Sequence, residues 1–421
     1  MNSAPNDHRF SRRACLQAGL GASLAGFAAA RIPGHGQPRS VAAVVTVYSH
    51  NSHADVILTK LMAGWEHNGG PGPALRLAAV YIDQPEGSRL GLELFEKHGV
   101  PVFNTIEQAV TVGSNSIPVD GVLSVGEHGM YPHNEIGQHL YPRRRFMDEI
   151  LDTFEKYDRI VPVFNDKHFG PVWSDAIGMY DRCRRLNVPL MAGSSMPVGF
   201  WTNDLDLPLG SRIEGAVGIA YGGLEAYGFH ALELFQALVE RRAGAEQGVQ
   251  AVRFLEGSAL WEAVDNGVIS RPALEAAFAA VPKTDNADMR QDPNAGLFLF
   301  EYVDGFTGAV LYLGCARGTS VGLQLRRQSA AMATVFDSRT EPRFPHFAYL
   351  LKAIEKMIYS GQPTYPVERT LLTSGILDRA MNSRALDGKR LETPELKIGY
   401  RPVDYPWAAH VDLQQPPVAA E

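Results

Sequence analysis

The chain has 421 residues, 45% hydrophobic and 20% charged, which is enough apolar content for packed cores in two or three domains. Lys plus Arg number 39 against 46 Asp plus Glu, a formal net charge of -7, so the broad basic surface of a nucleic-acid-binding protein is excluded. The three cysteines, Cys15, Cys183 and Cys315, are spaced for neither a zinc site nor a disulfide framework, and Cys183 in a helix-like segment and Cys315 in a strand-like one read as buried small apolar residues.

Ser11-Arg12-Arg13-Ala14-Cys15-Leu16-Gln17 precedes a mild apolar stretch from Ala18 to Ala30 that ends in Ala28-Ala29-Ala30. Basic, apolar and small residues in that order make an export signal, and the paired arginines resemble the twin-arginine class, which implies a periplasmic or secreted protein. The stretch is too short and too rich in Gly and Ala for a membrane span, so none is expected in the mature protein.

Beyond a Gly/Pro-rich linker over residues 31–40, Val41 to Val47 is a β-branched run that predicts a buried strand. His53 to Trp65 has a helical apolar face, and Asn68-Gly69-Gly70-Pro71-Gly72-Pro73 must be a loop. Leu75 to Ile82 is a second strand ending at Asp83, Arg89 to His98 a helix, Pro101-Val102-Phe103 a short strand and Val119 to Val125 a fourth strand. Gly126 to Glu135 follows it as a polar loop. Arg145 to Lys156 is helical, Ile160 to Asn165 is a strand ending in Asp166-Lys167-His168, Ser174 can cap a helix to about Leu186, and Val188 to Ala192 is a sixth strand. This alternation argues for a doubly wound parallel sheet. From Ile213 on the pattern changes. One strand (Ile213 to Tyr221) and one helix (His230 to Val239) precede strands at Val249 to Leu255, Gly296 to Val303, Ala309 to Leu313 and Val321 to Arg326. Helices at Phe347 to Tyr359 and Thr370 to Ser383 close a second, mostly antiparallel α+β domain.

In an open α/β sheet, ligands sit outside the carboxyl ends of the strands, so Asp166, Lys167 and His168 are placed to share a pocket. Glu127, His128, His133 and Glu135 lie in the loop after the fourth strand, on the same edge. They suit substrate hydrogen bonding or, for Glu127, His128 and His133 with Asp166, a divalent metal such as zinc, manganese or iron. Arg143-Arg144-Arg145 at a helix start opposes the helix dipole. These arginines suit either an anionic ligand group or salt bridges to Asp148 and Glu149.

Three segments carry a resemblance to the Gfo/Idh/MocA (glucose–fructose oxidoreductase / inositol dehydrogenase / MocA) family. Asp166-Lys167-His168 occupies the place of the family's Glu-Lys-Pro tip. Ala226-Tyr227-Gly228-Phe229-His230 matches the Gly and His of its Asp-x-Gly-x-His element, with Glu225 beside the missing Asp. Tyr365 to Leu372, with Ser383-Arg384 and Thr393-Pro394, looks like its closing helix and strand. The resemblance implies a Rossmann-like domain over 41–200 and a C-terminal α+β domain with an open-faced sheet over 201–400, and the Pro-rich residues 401–421 read as an extended tail or an arm around another subunit. A dimer or tetramer pairing through the open sheet face is also implied.

For function, the resemblance implies an exported oxidoreductase acting on a sugar, polyol or glycoside hydroxyl. Lys167 would be the central acid–base group, its ammonium weakened by a cationic neighbour such as His168. His230 would relay the hydroxyl proton, with His128, His133, Arg143, His168 and Tyr227 toward substrate. NAD rather than NADP would be held by Thr46, Tyr48, Asp83, Glu127 and Asp166. The chain departs from the family at the first turn, where Thr46-Val47-Tyr48-Ser49-His50-Asn51-Ser52-His53 contains no glycine, and side chains there would crowd a diphosphate in the usual pose. Two alternatives stay open: a metal-assisted lyase, isomerase or hydrolase on the same scaffold, and a periplasmic sugar-binding protein without catalysis.

Overall fold

The valine-rich run at the start of the described chain becomes the centre of a sheet. The computed structural model describes residues 37–203, 205 and 207–417, so the expected export signal and most of the linker lie outside the described residues. The first lobe runs β1 (Arg39–Val45), α1 (His53–Ala63), β2 (Leu75–Ile82), α2 (Arg89–His98), β3 (Val102–Phe103), α3 (Ile106–Thr111), β4 (Gly121–Val125), α4 (Arg143–Lys156), β5 (Val163–Asp166), α5 (Trp173–Arg185) and β6 (Leu190–Gly193). Its strands pair in parallel in the order β3-β2-β1-β4-β5-β6, which puts the chain reversal between β1 and β4. Successive side chains of β1 alternate faces. Val41, Ala43 and Val45 pack with α1, while Ala42 and Val44 face the α3–α4–α5 side.

The second lobe contains β7 (Ile213–Ala220), α6 (Ala226–Val239), β8 (Val249–Glu256), α7 (Gly257–Asp265), α8 (Arg271–Ala280), β9 (Gly296–Tyr302), β10 (Thr307–Tyr312), β11 (Ser320–Leu325) and β12 (Met332–Val335). Then come α9 (His346–Ser360), α10 (Glu368–Ala385) and β13 (Leu391–Glu392). The sheet order is β12-β11-β7-β10-β9-β8-β13, antiparallel apart from the parallel β7–β10 pair. α6 and α10 cover one face. α7 and α8 lie on the other, burying Val217, Ile219, Leu297 and Leu311, so the chain's own helices occupy the face through which the resemblance implies subunit pairing. Among the described residues no helix is long and apolar enough to cross a membrane.

Helix α9 returns to the first lobe. Leu350, Leu351, Ile354, Met357 and Ile358 pack with α1, β1 and β2, each worth roughly 1.5–3 kcal/mol of burial. The tail follows it, with Tyr405 and Leu413 against the same core and Trp407 stacked on Trp201 at 4.5 Å. Several expected boundaries move. α4 starts at Arg143, two residues earlier than predicted. α5 begins at Trp173 behind Val172, so Ser174 sits inside the helix and does not cap it. Cys315 lies just past β10, not in a strand, and is partly exposed, whereas Cys183 is buried. α3, α7 and α8 have no counterpart in the sequence prediction. Each is ten residues or shorter, so its apolar pattern runs for fewer than three helical turns.

Candidate active site

Four segments of the first lobe end at one edge: the start of α1, the loop after β4, the tip of β5 and the turn after β6. Lys167 takes a left-handed backbone (φ 68°) and returns its N–H to the Gly193 carbonyl at 3.1 Å, which turns its side chain off the strand. His128 is also left-handed, at φ 66°. Non-glycine residues held there cost on the order of 1–3 kcal/mol and gather at functional sites. From the second lobe α6 contributes Glu225, His230 and Glu233.

Lys167 Nζ lies 2.5 Å from His230 Nε2, so the two lobes meet at this contact. An ammonium only donates, which makes Nε2 the acceptor and places the imidazole proton on Nδ1. From there it reaches Ser194 Oγ at 2.6 Å, and that oxygen also accepts the Met196 N–H at 3.1 Å. Burial first, then the fields of Lys167 and His53, hold His230 well below the usual histidine pKa, so the ring is a neutral acceptor. On its other side Lys167 sits 3.3 Å from Glu127 Oε1. Burial alone would raise the Glu127 carboxyl, but the ammonium and the Arg143 guanidinium, 2.7 Å from Oε2, outweigh it and keep Glu127 well below the carboxylate range.

Arg143 is fully buried and also reaches His168 Nε2 at 3.0 Å. His168 Nδ1 donates to the Gly170 carbonyl at 2.8 Å, and its Nε2 lies 3.0 Å from Glu225 Oε1. Charges therefore alternate along Arg143, Glu127 and Lys167. The neighbours of Lys167 are a carboxylate and a neutral imidazole, not His168 as the sequence suggested.

The other expected residues are placed less centrally. Arg143 faces inward to Glu127 and His168, so it braces the site and is not aimed at a ligand. Arg144 and Arg145 run along the helix to Asp148 and Glu149. Tyr227 is 42% exposed and leans on Tyr221, so Glu225 is the residue beside the missing Asp that reaches the first lobe. His128 is exposed, its ring 5.6 Å from that of His53. His133 stacks on His139 at 4.2 Å. Among the described residues no group of three or more His, Cys, Asp or Glu is arranged to hold a metal. Glu127 is engaged by Lys167 and Arg143 and Asp166 by His53, which removes the suggested set of Glu127, His128, His133 and Asp166 as a cage.

The nicotinamide grip can be tested in the same way. The Tyr48 ring is buried under α2, where a Cβ on Gly91 would fall 2.5 Å from its Cγ. Its hydroxyl bonds Thr59 and, at 3.3 Å, Asp55. Thr46 is buried and donates to the Glu127 carbonyl at 2.6 Å. The amides that would face a diphosphate are satisfied internally: Ser49 N–H by Ser52 Oγ at 3.2 Å, Asn51 N–H by Asp55 Oδ2 at 2.9 Å and Asp55 N–H by Ser52 Oγ at 3.3 Å. Arg343 closes the turn, 2.7 Å from Asp55 and 3.0 Å from Asn51 Oδ1. At the ribose position, Asp83 accepts from Tyr81 and Tyr131 at 2.7 Å each and pairs with Arg145. These residues do not fit a dinucleotide in the family's usual pose.

Sequence reasoning missed His53. It begins α1 where the fingerprint puts its phosphate-binding turn, and its Nδ1 lies 2.7 Å from Asp166 Oδ2. It missed Ser194 as the partner of His230, and it missed His346, which is buried with Nδ1 2.9 Å from Ser195 Oγ. Burial, then the field of His53, lowers the His346 pKa to about 3. His230 and His346 are thus neutral in the fold at pH values where an unfolded histidine, with a pKa of about 6.5, takes a proton. A depressed folded pKa gives stability that is present above the unfolded value and lost as pH falls below it. Each histidine is expected to remove up to about 1.4 kcal/mol per pH unit below about 6.5. Urea midpoints at pH 7.5 and 5.5 measure the loss, and replacing His346 with Phe should flatten the slope.

No family model matches the chain, and no curated protein does. Solved structures do. The chain resembles GenD2 from gentamicin A biosynthesis in complex with NAD (14% identity, TM-score 0.54, 86% of this chain and 98% of that one). It also resembles apo scyllo-inositol dehydrogenase from Lactobacillus casei (11%, 0.54, 84% and 98%). A third is an oxidoreductase from Agrobacterium radiobacter in complex with NAD+, L-tartaric acid and magnesium (12%, 0.52, 84% and 98%). The chain shares the two-lobed fold of these structures. The shared feature is the fold, and the turn that grips a dinucleotide in the usual pose is rebuilt here.

Proposed function

We propose that the chain is an enzyme acting on a sugar, polyol or glycoside in the cleft between its lobes, with Lys167 and His230 handling the proton of the reacting oxygen. The observation that carries this reading is the 2.5 Å contact between Lys167 Nζ and His230 Nε2. An incoming oxygen inserts into that contact, accepts from the ammonium and gives its own hydroxyl proton to the neutral imidazole. Glu127 holds the ammonium, and Ser194 fixes the tautomer of the ring. The reading assigns no hydride step. A nicotinamide-dependent oxidation of the same hydroxyl is the second reading, supported by the fold shared with NAD-bound GenD2, and it needs a dinucleotide pose that avoids Tyr48 and Arg343.

Two measurements separate these readings. Mass spectrometry of the denatured protein is expected to show no retained nicotinamide. Calorimetric titration with myo-inositol, D-glucose, D-fructose and methyl glucosides is expected to show binding of at least one, weakened tenfold or more by His230→Ala. Retained nicotinamide favours the second reading, and a protein that binds none of these leaves neither. Twin-arginine export belongs to the proposal. Changing Arg12 and Arg13 together to Lys should keep the protein in the cytoplasm, and unchanged export would refute it.

A further inference from the structure

We propose that His53, oriented by Asp166, is a second acid–base residue of this cleft, and that it makes the site one for enolising a sugar that carries a carbonyl. The inference rests on the reading of the cleft as a sugar-handling acid–base site and adds the carbon at which it works. Asp166 is 1% exposed at the tip of β5, and its carboxylate only accepts, so His53 Nδ1 carries the proton of their 2.7 Å hydrogen bond. When the ring carries a single proton, that leaves Nε2 as the unprotonated nitrogen, and among the described residues no hydrogen bond engages it. The ring is held from three directions. Ser52 caps α1 through the Asp55 N–H, Asp166 fixes one edge, and Phe347 packs edge-on at 4.8 Å. Its side chain keeps 15% exposure, the His230 ring centre is 6.3 Å away, and exposed His128 lies 5.6 Å off.

The cleft therefore holds an oxygen-facing donor, Lys167, and an oriented base, His53, close enough to serve neighbouring atoms of one substrate. The turn that would position a hydride acceptor is closed. What remains is a proton moved at carbon. His53 Nε2 takes the proton from the carbon beside the carbonyl, and the C–H electron pair becomes the C=C bond. The carbonyl π pair moves onto oxygen, which takes a proton from the Lys167 ammonium. Return of a proton from His53 to the same carbon exchanges it with solvent. Return to the former carbonyl carbon isomerises the sugar, as the adjacent hydroxyl gives up its proton and becomes the new carbonyl. Lys167 is restored in either case, atoms and electrons balance, and no co-reactant is consumed. His53 touches the substrate, and Asp166 positions it.

The test is deuterium incorporation from D2O into D-fructose, D-glucose and dihydroxyacetone, read by proton NMR at the carbons beside the carbonyl. Wild-type protein is expected to label at least one of them. His53→Gln and His53→Asn are expected to lose labelling 100-fold or more while binding that sugar within threefold of wild type. Asp166→Asn should lose less and shift the acidic limb of the pH profile, which a purely structural role would leave in place. Absence of labelling in every sugar, or labelling that survives both His53 variants, overturns the proposal. Sugar binding that depends on His230 without any labelling would leave the acid–base cleft standing and remove the enolisation step alone.

Discussion

Lys167→Ala is expected to lower kcat/KM for the sugar turned over by the cleft by about 10²–10⁴-fold, the usual range for losing a positioned acid–base group. The urea midpoint should stay close to wild type. Removing the ammonium does not strand its carboxylate partner, because Glu127 keeps Arg143 at 2.7 Å. Nor does it free the backbone, since the Lys167 N–H still bonds the Gly193 carbonyl. Lys167→Arg should restore little, because a planar guanidinium cannot reproduce a point charge 2.5 Å from His230. A Lys167→Ala/His230→Ala double variant should be about as slow as Lys167→Ala alone, since the two act as a unit. Steady-state kinetics on the three proteins checks this, and a double variant slower by the product of both single effects would show that the residues act separately.

Much of the frame was legible in the sequence because its signals are local. The alternating apolar residues of β1 and the six strands of the first lobe follow from β-branched runs and turn residues close together in the chain. The Asp166-Lys167-His168 tip was legible for the same reason, since the run ends where the strand ends. What stayed hidden depends on contacts that no local pattern records. His53 and Asp166 are 113 residues apart, and the turn that holds His53 was read for the glycines it lacks. Three arginines in a row looked like an anion site, yet consecutive helical residues point about 100° apart. One of them turns inward to Glu127 and the other two lie along the helix. The missing glycine of the turn has a counterpart on the next helix, where Gly91 makes room for the buried Tyr48 ring. The rebuilt turn is thus a packed alternative, not a loosened version of the usual one, and a sequence shows the absent residue without showing what fills its place.

The second large effect concerns stability. Glu127→Ala leaves the Arg143 guanidinium in the interior with no carboxylate bonded to it, beside the imidazole of His168 at 3.0 Å. Breaking a buried pair from one side costs about 3–5 kcal/mol, because the remaining charge is neither solvated nor paired. The urea midpoint should fall accordingly, and Arg143→Ala should fall less, because Glu127 keeps the Lys167 ammonium at 3.3 Å. Glu127→Gln combined with Arg143→Met removes both charges and should recover most of the loss, since an apolar replacement of a buried pair is often neutral. Activity should not return with it, because Lys167 then has no anion at 3.3 Å to hold its charge against burial. Recovered folding without recovered turnover would assign the Arg143–Glu127 pair to bracing the ammonium. Had Arg143 instead served a ligand anion, as its place in a run of three suggests, Glu127→Ala would leave the free protein's stability almost unchanged and weaken only binding, so urea unfolding of the unliganded variant decides between the two roles.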